Sequence, residues 1–174
     1  MAWRAYRRMK ALLDLQLARD LSADSGLSEP DYDVLSTLSE RPHAEWRASE
    51  LAARLLWSTS RLAHHIGRME RRQLVARHAC DGDGRGALIR LTDAGWTALR
   101  AAAPLHVASI RQHFVDLLDP EEIENLARFS NRVVDHLTAT GNGPRAGKRA
   151  TASAPAPVRP HGAVSDQQPH RRRG

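Results

Sequence analysis

Residues 49–92 constrain the fold more than any other stretch of the chain. Residues 48–55 have the spacing of a short helix, with Leu51 and Leu55 on one face. A brief turn follows at Leu56-Trp57, and Ser58 is placed to cap a longer helix running to about Arg72. Within that helix Leu62, Ile66 and Met69 form an i, i+4, i+7 apolar stripe. Arg61, His65, Arg68 and Arg72 also recur at helical spacing and are expected on the opposite side. Residues 74–78 and 87–91 then read as two short strands around the loop Asp81-Gly82-Asp83-Gly84-Arg85-Gly86. Two helices across a tight turn, the second with a basic face, followed by a Gly-rich hairpin, make a winged helix-turn-helix pattern.

Helices are expected on both sides of this unit. Tyr6, Met9, Leu13, Leu17 and Leu21 keep helical spacing until Ser25-Gly26-Leu27 ends the run. Ser28-Glu29-Pro30-Asp31 reads as a capping box with Pro just inside the next helix, which stops before Pro42. Thr92-Asp93-Ala94-Gly95 looks like an N-cap with an acid in the first turn. That helix is expected to reach about Ala103, to be kinked or interrupted by Pro104, and to resume through Ile110, Phe114, Leu117 and Leu118. Asp119-Pro120-Glu121-Glu122 opens a last helix carrying Leu126, Phe129, Val133 and Leu137. The expected fold class is therefore mainly α with a small β-hairpin wing.

Charge supports a nucleic-acid face only when it is located. The net charge of the 174-residue chain is +6, yet residues 1–138 carry as many acids as bases. The whole excess lies in residues 139–174, a basic Pro/Gly/Ala-rich tail expected to be disordered. Residues 61–90 hold a local surplus of +4, which leaves the rest of residues 1–138 acidic. A basic patch on an acidic body is the footprint expected of a DNA binder. With a single cysteine, no internal disulfide forms. No apolar run approaches the roughly 20 residues that span a membrane, and the first residues lack the apolar core of a signal peptide. A cytoplasmic protein with no membrane partner is expected.

The order of elements resembles the multiple antibiotic resistance regulator (MarR) family. The likeness is carried by Gly26-Leu27-Ser28 with Asp31-Tyr32-Asp33-Val34-Leu35, Ser49-Glu50-Leu51-Ala52, Trp57-Ser58-Thr59-Ser60-Arg61-Leu62 and Arg68-Met69-Glu70-Arg71-Arg72. The most specific part is Asp83-Gly84-Arg85 followed by Leu91-Thr92-Asp93-Ala94-Gly95. The resemblance covers residues 1–138, with a DNA-binding core at 48–92. It implies N- and C-terminal dimerisation helices around the winged unit. It also implies a homodimer on double-stranded DNA at a near-palindromic operator, a repressor role, and release by a small, often phenolic or anionic effector. The family usually has Gly where this chain has Leu56 and Gln73, both places where the backbone tends to turn left-handed. A side chain there costs on the order of 1 kcal/mol.

The candidate DNA contacts are Ser58, Thr59, Ser60, Arg61, His64, His65, Arg68, Arg72, Arg77, Asp83 and Arg85. Hydroxyls and free amides at the start of the second helix suit phosphates or base edges. Arg61 or Arg68 suits a bidentate guanine contact. Arg85, on its Gly-rich tip, suits a minor groove, and by resemblance Asp83 holds the wing in shape. Trp3, Tyr6, Arg7, Trp46 and Trp57 are candidate lining for an effector pocket, and they read equally as core or dimer packing.

Other chemistries fit less well. The run Asp81-x-Asp83-x-Arg85 imitates an EF-hand start, but Thr92 stands where a bidentate Glu is required. His64, His65, His78 and Cys80 could suggest zinc, but adjacent helical histidines diverge by about 100°, and one cysteine is too few. Cys80 lies beside Arg77 and His78, which would lower its pKa, and reads equally as a small residue at a strand end. No nucleophile elbow, phosphate loop or paired-carboxylate context points to an enzyme, and no cofactor is implied. A non-specific DNA-binding or protein-interaction module without ligand response is the alternative function.

Overall fold

The computed structural model describes residues 1–41, 45–79 and 86–140. The chain opens with helix α1 (Ala2–Ser25), which Gly26 ends in the left-handed conformation at φ 66°. Helix α2 (Glu29–Ser39) starts at the expected capping box. Ser28 Oγ accepts from the Asp31 amide, and the Asp31 carboxylate accepts from the Ser28 amide. Strand β1 (Trp46–Arg47) leads into helix α3 (Ala48–Arg54), and helix α4 (Thr59–Arg71) follows under a Ser58 cap. Strands β2 (Val75–Ala79) and β3 (Ala87–Leu91) form the hairpin. Helix α5 (Asp93–His113), a short 3-10 turn (Val115–Leu117) and helix α6 (Pro120–Ala139) complete the described chain.

Two expectations are corrected. Among the described residues the sheet has three antiparallel strands in the order β1-β3-β2, because Trp46 and Arg47 pair with Ile89 and Leu88. Two residues carry no readable alternation, and only the exposed edge of β3 makes them a strand. Pro104 does not interrupt α5, which runs unbroken from Asp93 to His113. An interior proline costs about 3 kcal/mol in a helix, and α5 offsets this by packing along α1. The two helices are also joined by polar groups. Asp20 Oδ2 accepts from Ser109 Oγ (2.6 Å) and lies 3.1 Å from His113 Nε2, while Gln16 donates to Asp20 Oδ1 (2.7 Å).

Both left-handed positions occur at side-chain-bearing residues, Leu56 at φ 56° and Gln73 at φ 59°. Each closes a Schellman motif. Leu56 and Trp57 donate to the carbonyls of Ala53 and Ala52, and Gln73 and Leu74 donate to those of Glu70 and Met69. The hydrogen bonds that turn the chain thus form without glycine. The second turn is then clamped to α5. Thr92 Oγ1 donates to Gln73 O (2.5 Å) and accepts from the Gly95 amide (3.0 Å), while the Thr92 amide donates to Leu74 O (3.3 Å).

The core lies in the winged unit and at its contact with α5. Val34, Leu35, Leu51, Leu62, Ile66, Met69 and Ile89 are its centre. From α1 only Leu21 joins it, and α6 contributes no buried residue. Fully burying one such Leu or Ile side chain contributes roughly 1.5–3 kcal/mol, so the winged unit holds most of the apolar driving force within this chain.

Candidate nucleic-acid interface

The exposed surface of α4 is built by its cap and its periodicity. Ser58 Oγ accepts from the Arg61 amide (3.2 Å) and lies 3.4 Å from Ser60 Oγ. The first turn holds no acid. The positive end of the helix dipole therefore faces solvent uncompensated beside the hydroxyls of Thr59 and Ser60. Arg61, His64 and Arg68 are exposed along the same side. The Arg61 guanidinium rests 4.1 Å over the Trp57 ring, which restrains a long side chain at this surface.

His65 is not on this face, and its expected place among the direct DNA contacts is corrected. It is 5% exposed, packed with Leu62, Ile66 and Met69. Position 65 lies three after 62 and four before 69, which is core spacing. Its ring stands nearly perpendicular to that of Trp57, with centroids 5.4 Å apart. Its Nε2 lies 3.0 Å from Asp31 Oδ1, off the ideal N–H direction, and its Nδ1 accepts from Arg68 Nη2 at 2.7 Å.

Arg72 and Arg77 are exposed but already paired. Arg72 donates to Asp31 Oδ2 (2.6 Å) and to Gly26 O (3.2 Å), which ties the end of α4 to the start of α2. Arg77 lies 3.1 Å from Glu70. On β3, Arg90 Nε donates to His78 Nε2 (3.0 Å), and both groups lie within 4 Å of Glu45. Asp83, Arg85 and Cys80 lie outside the described residues, as does the tail from residue 141.

Asp31 anchors the arrangement, and the sequence reading missed its second role. The capping box is visible in sequence, but the Arg72 and His65 contacts span 41 and 34 residues, so no local pattern marks them. Burial pushes its pKa up, but hydrogen bonds from Arg72 and Ser28 outweigh this and leave the carboxyl below its ordinary value of 3.8. Burial lowers the His65 pKa below 6.5, with Arg68 and Arg61 acting in the same direction against Asp31. Asp33, nearby on α2, is pushed above 3.8 by burial, opposed by His106, Arg61 and His65.

The candidate pocket residues are not brought together within one chain. Trp3 and Tyr6 stack at 5.6 Å near the start of α1, where Trp3 and Arg7 line an open depression with Arg4 and Arg8. Trp46 is corrected from pocket lining to core: it is buried, with Arg41 4.2 Å above its ring. Trp57 is half-buried between Arg61 and His65. Among the described residues no helix is long and apolar enough to cross a membrane.

Residues 25–86 match a model of the MarR family. The chain is 31% identical over 135 residues to the HTH-type transcriptional regulator PecS of Dickeya dadantii, covering 75% of this chain and 78% of that protein. Among solved structures it is similar to AbsC, a MarR family transcriptional regulator from Streptomyces coelicolor. That match has 42% identity and a TM-score of 0.74, covering 79% of this chain and 93% of that one. It is also similar to Sco3205 from the same organism, solved in complex with DNA. There the identity is 37% and the TM-score 0.74, covering 78% of this chain and 85% of that one. With the winged helix-turn-helix, the flanking helices and these relatives, the chain belongs to the MarR family of transcriptional regulators.

Proposed function

We propose that this chain is a sequence-specific double-stranded DNA-binding regulator, acting as a homodimeric repressor on a near-palindromic operator. The observation that carries the reading is the exposed face of α4. An uncompensated helix N-terminus, the hydroxyls of Ser58, Thr59 and Ser60, and the side chains of Arg61, His64 and Arg68 project from one surface. Hydroxyls and amides there suit phosphates, and the arginines suit base edges. Sco3205, at 37% identity, has been captured on DNA. Arg72 and Arg77 hold the structure around the reading helix, Arg85 of the wing serves the adjacent minor groove, and Asp83 keeps Arg85 or the wing in shape. Residues 1–138 form the working unit, and residues 139–174 a basic tail that leaves operator choice unchanged.

The homodimer is supported by apolar surface that this chain leaves uncovered. Ile123, Leu126, Phe129, Val133, Val134 and Leu137 are all exposed on α6, and among the described elements none packs closely on it. The proposal includes release by a small phenolic or anionic effector, as in many members of the family. Tyr32, His106 and Asp33 are candidate groups for it, between α2 and α5, with the Tyr32 and His106 rings 4.4 Å apart.

Selection of bound duplexes from a random pool by the purified full chain tests the reading. A palindromic consensus with half-site centres about 10 base pairs apart is expected. A pool without enrichment, bound with a specificity ratio near one, would overturn it in favour of a non-specific DNA-binding module.

A further inference from the structure

We propose that His65 is a positioning residue for DNA reading, with its Nδ1 holding the Arg68 guanidinium in one place on the exposed face of α4. The inference rests on the DNA-reading function proposed above. Arg68 is exposed, long and flexible, and a free arginine loses rotamer entropy when it meets a base. Here it is already engaged, because Nη2 donates to His65 Nδ1 at 2.7 Å. Arginine has only donors, so Nδ1 must be an acceptor and the ring must carry its proton on Nε2. That nitrogen faces Asp31 Oδ1 at 3.0 Å. The other Asp31 oxygen is held by Arg72 and the Ser28 amide, so the carboxylate itself is fixed in place. Trp57 packs perpendicular to the ring and carries Arg61 on its face. The start of α2 thereby orients a side chain that points to DNA, through a ring that itself stays buried.

The arrangement requires an unprotonated ring. A proton on Nδ1 removes the acceptor and places a charge against Arg68. The charged groups facing His65 are Asp31 and Asp33 from α2 and Arg61 and Arg68 from α4, with His106 of α5 acting through Asp33. Burial, Arg68 and Arg61 oppose protonation while Asp31 favours it. Acid is therefore expected to free Arg68 and erode discrimination between sequences. Positive charge gained elsewhere on the surface strengthens binding to all DNA alike and cancels in a ratio.

The test uses the full chain, a duplex that it selects from a random pool, and a scrambled duplex of the same composition. His65→Phe is expected to lower the ratio of the two affinities roughly tenfold, as is Arg68→Ala. His65→Asn, whose Oδ1 takes the place of Nδ1, is expected to recover most of the loss. The double variant is expected to fall no further than Arg68→Ala alone. As pH falls from about 7.5 to about 5, the wild-type ratio is expected to fall, with the change setting in below 6.5, and that of Arg68→Ala to hold steady. Losses that multiply in the double variant, or an acid response undiminished in Arg68→Ala, would overturn the proposal. The pH comparison leaves His65 intact and decides the matter even if His65→Phe does not fold. A wild-type ratio of one would overturn the DNA-reading function itself, and this inference with it.

Discussion

Single backbone positions set the pose of α4. Leu56 and Gln73 sit at the two turns that deliver and end α4, both in the left-handed region. Leu56 is 74% exposed, so its side chain adds nothing to the core. Replacing either residue by glycine is expected to stabilise the fold by about 0.5–1 kcal/mol, the left-handed strain less the added freedom of glycine in the unfolded chain. Urea melts check this through a higher midpoint at unchanged slope. Gly95 is the opposite case. A Cβ there would lie 2.0 Å from the carbonyl oxygen of Leu74, a backbone atom already placed by the Gln73 turn. Gly95→Ala is expected to cost on the order of 3 kcal/mol. A melting temperature within a degree of wild type would refute the close approach of α5 to that turn.

Between elements, the joint of α2 with α4 depends on charge. The Asp31 pKa lies below its unfolded value of 3.8, so its contribution is complete above that pH and is lost as pH falls through the folded value. The His65 pKa is also lowered, from 6.5, so the unfolded chain takes up this proton first. Its contribution is likewise complete above pH 6.5 and declines below it. Asp33 acts in the other sense, because its raised pKa favours the folded state only once pH falls toward 3.8. Stability is therefore expected to decline in two steps on acidification, one beginning below pH 6.5 and one below pH 3.8. Urea melts across pH check this, and His65→Phe is expected to lack the upper step. Removing the Asp31 carboxylate by Asp31→Ala leaves His65 and Arg72 without their partner, at an expected cost of about 3 kcal/mol.

For the whole molecule, the decisive quantity is the apolar surface that one chain leaves bare. Beside the stripe on α6, Trp3, Tyr6, Met9, Leu12 and Leu15 are exposed on α1 and Leu105 and Val107 on α5. A helix with an apolar stripe and nothing packed on it gains little from folding alone. In the homodimer proposed above, a second copy would supply the missing cover. Phe129→Asp, in the middle of the α6 stripe, is expected to raise the dimer dissociation constant at least about thirtyfold, as for a central interface anchor. The winged unit, whose core lies elsewhere, is expected to stay folded. Light scattering at micromolar concentration with circular dichroism separates the two, and a wild-type monomer would refute the dimer.

Much of the fold was legible from local chemistry. The caps at Ser28, Ser58, Thr92 and Asp119 are short-range hydrogen-bonding patterns, and each opens a helix where it was expected. The stripe of Leu62, Ile66 and Met69 set which face of α4 is buried. The left-handed turns at Leu56 and Gln73 were legible only against the family template. What escaped sequence reading spans long distances. Strand β1 exists because β3 offers it an edge, α5 survives Pro104 because α1 holds it, and Trp46 belongs to the core because the sheet closes over it. His65 shows the division within one residue. Its helical register was readable, but its partner Asp31 lies on another helix, and the same periodicity that placed it beside the arginines also placed it beside the core. Sequence by itself determined where helices begin and which faces are apolar, because those are interactions over three or four residues. Only the tertiary structure decided which basic groups are free to meet DNA and which are spent on Asp31 and Glu70, because a charge pairs with whatever the fold brings within reach.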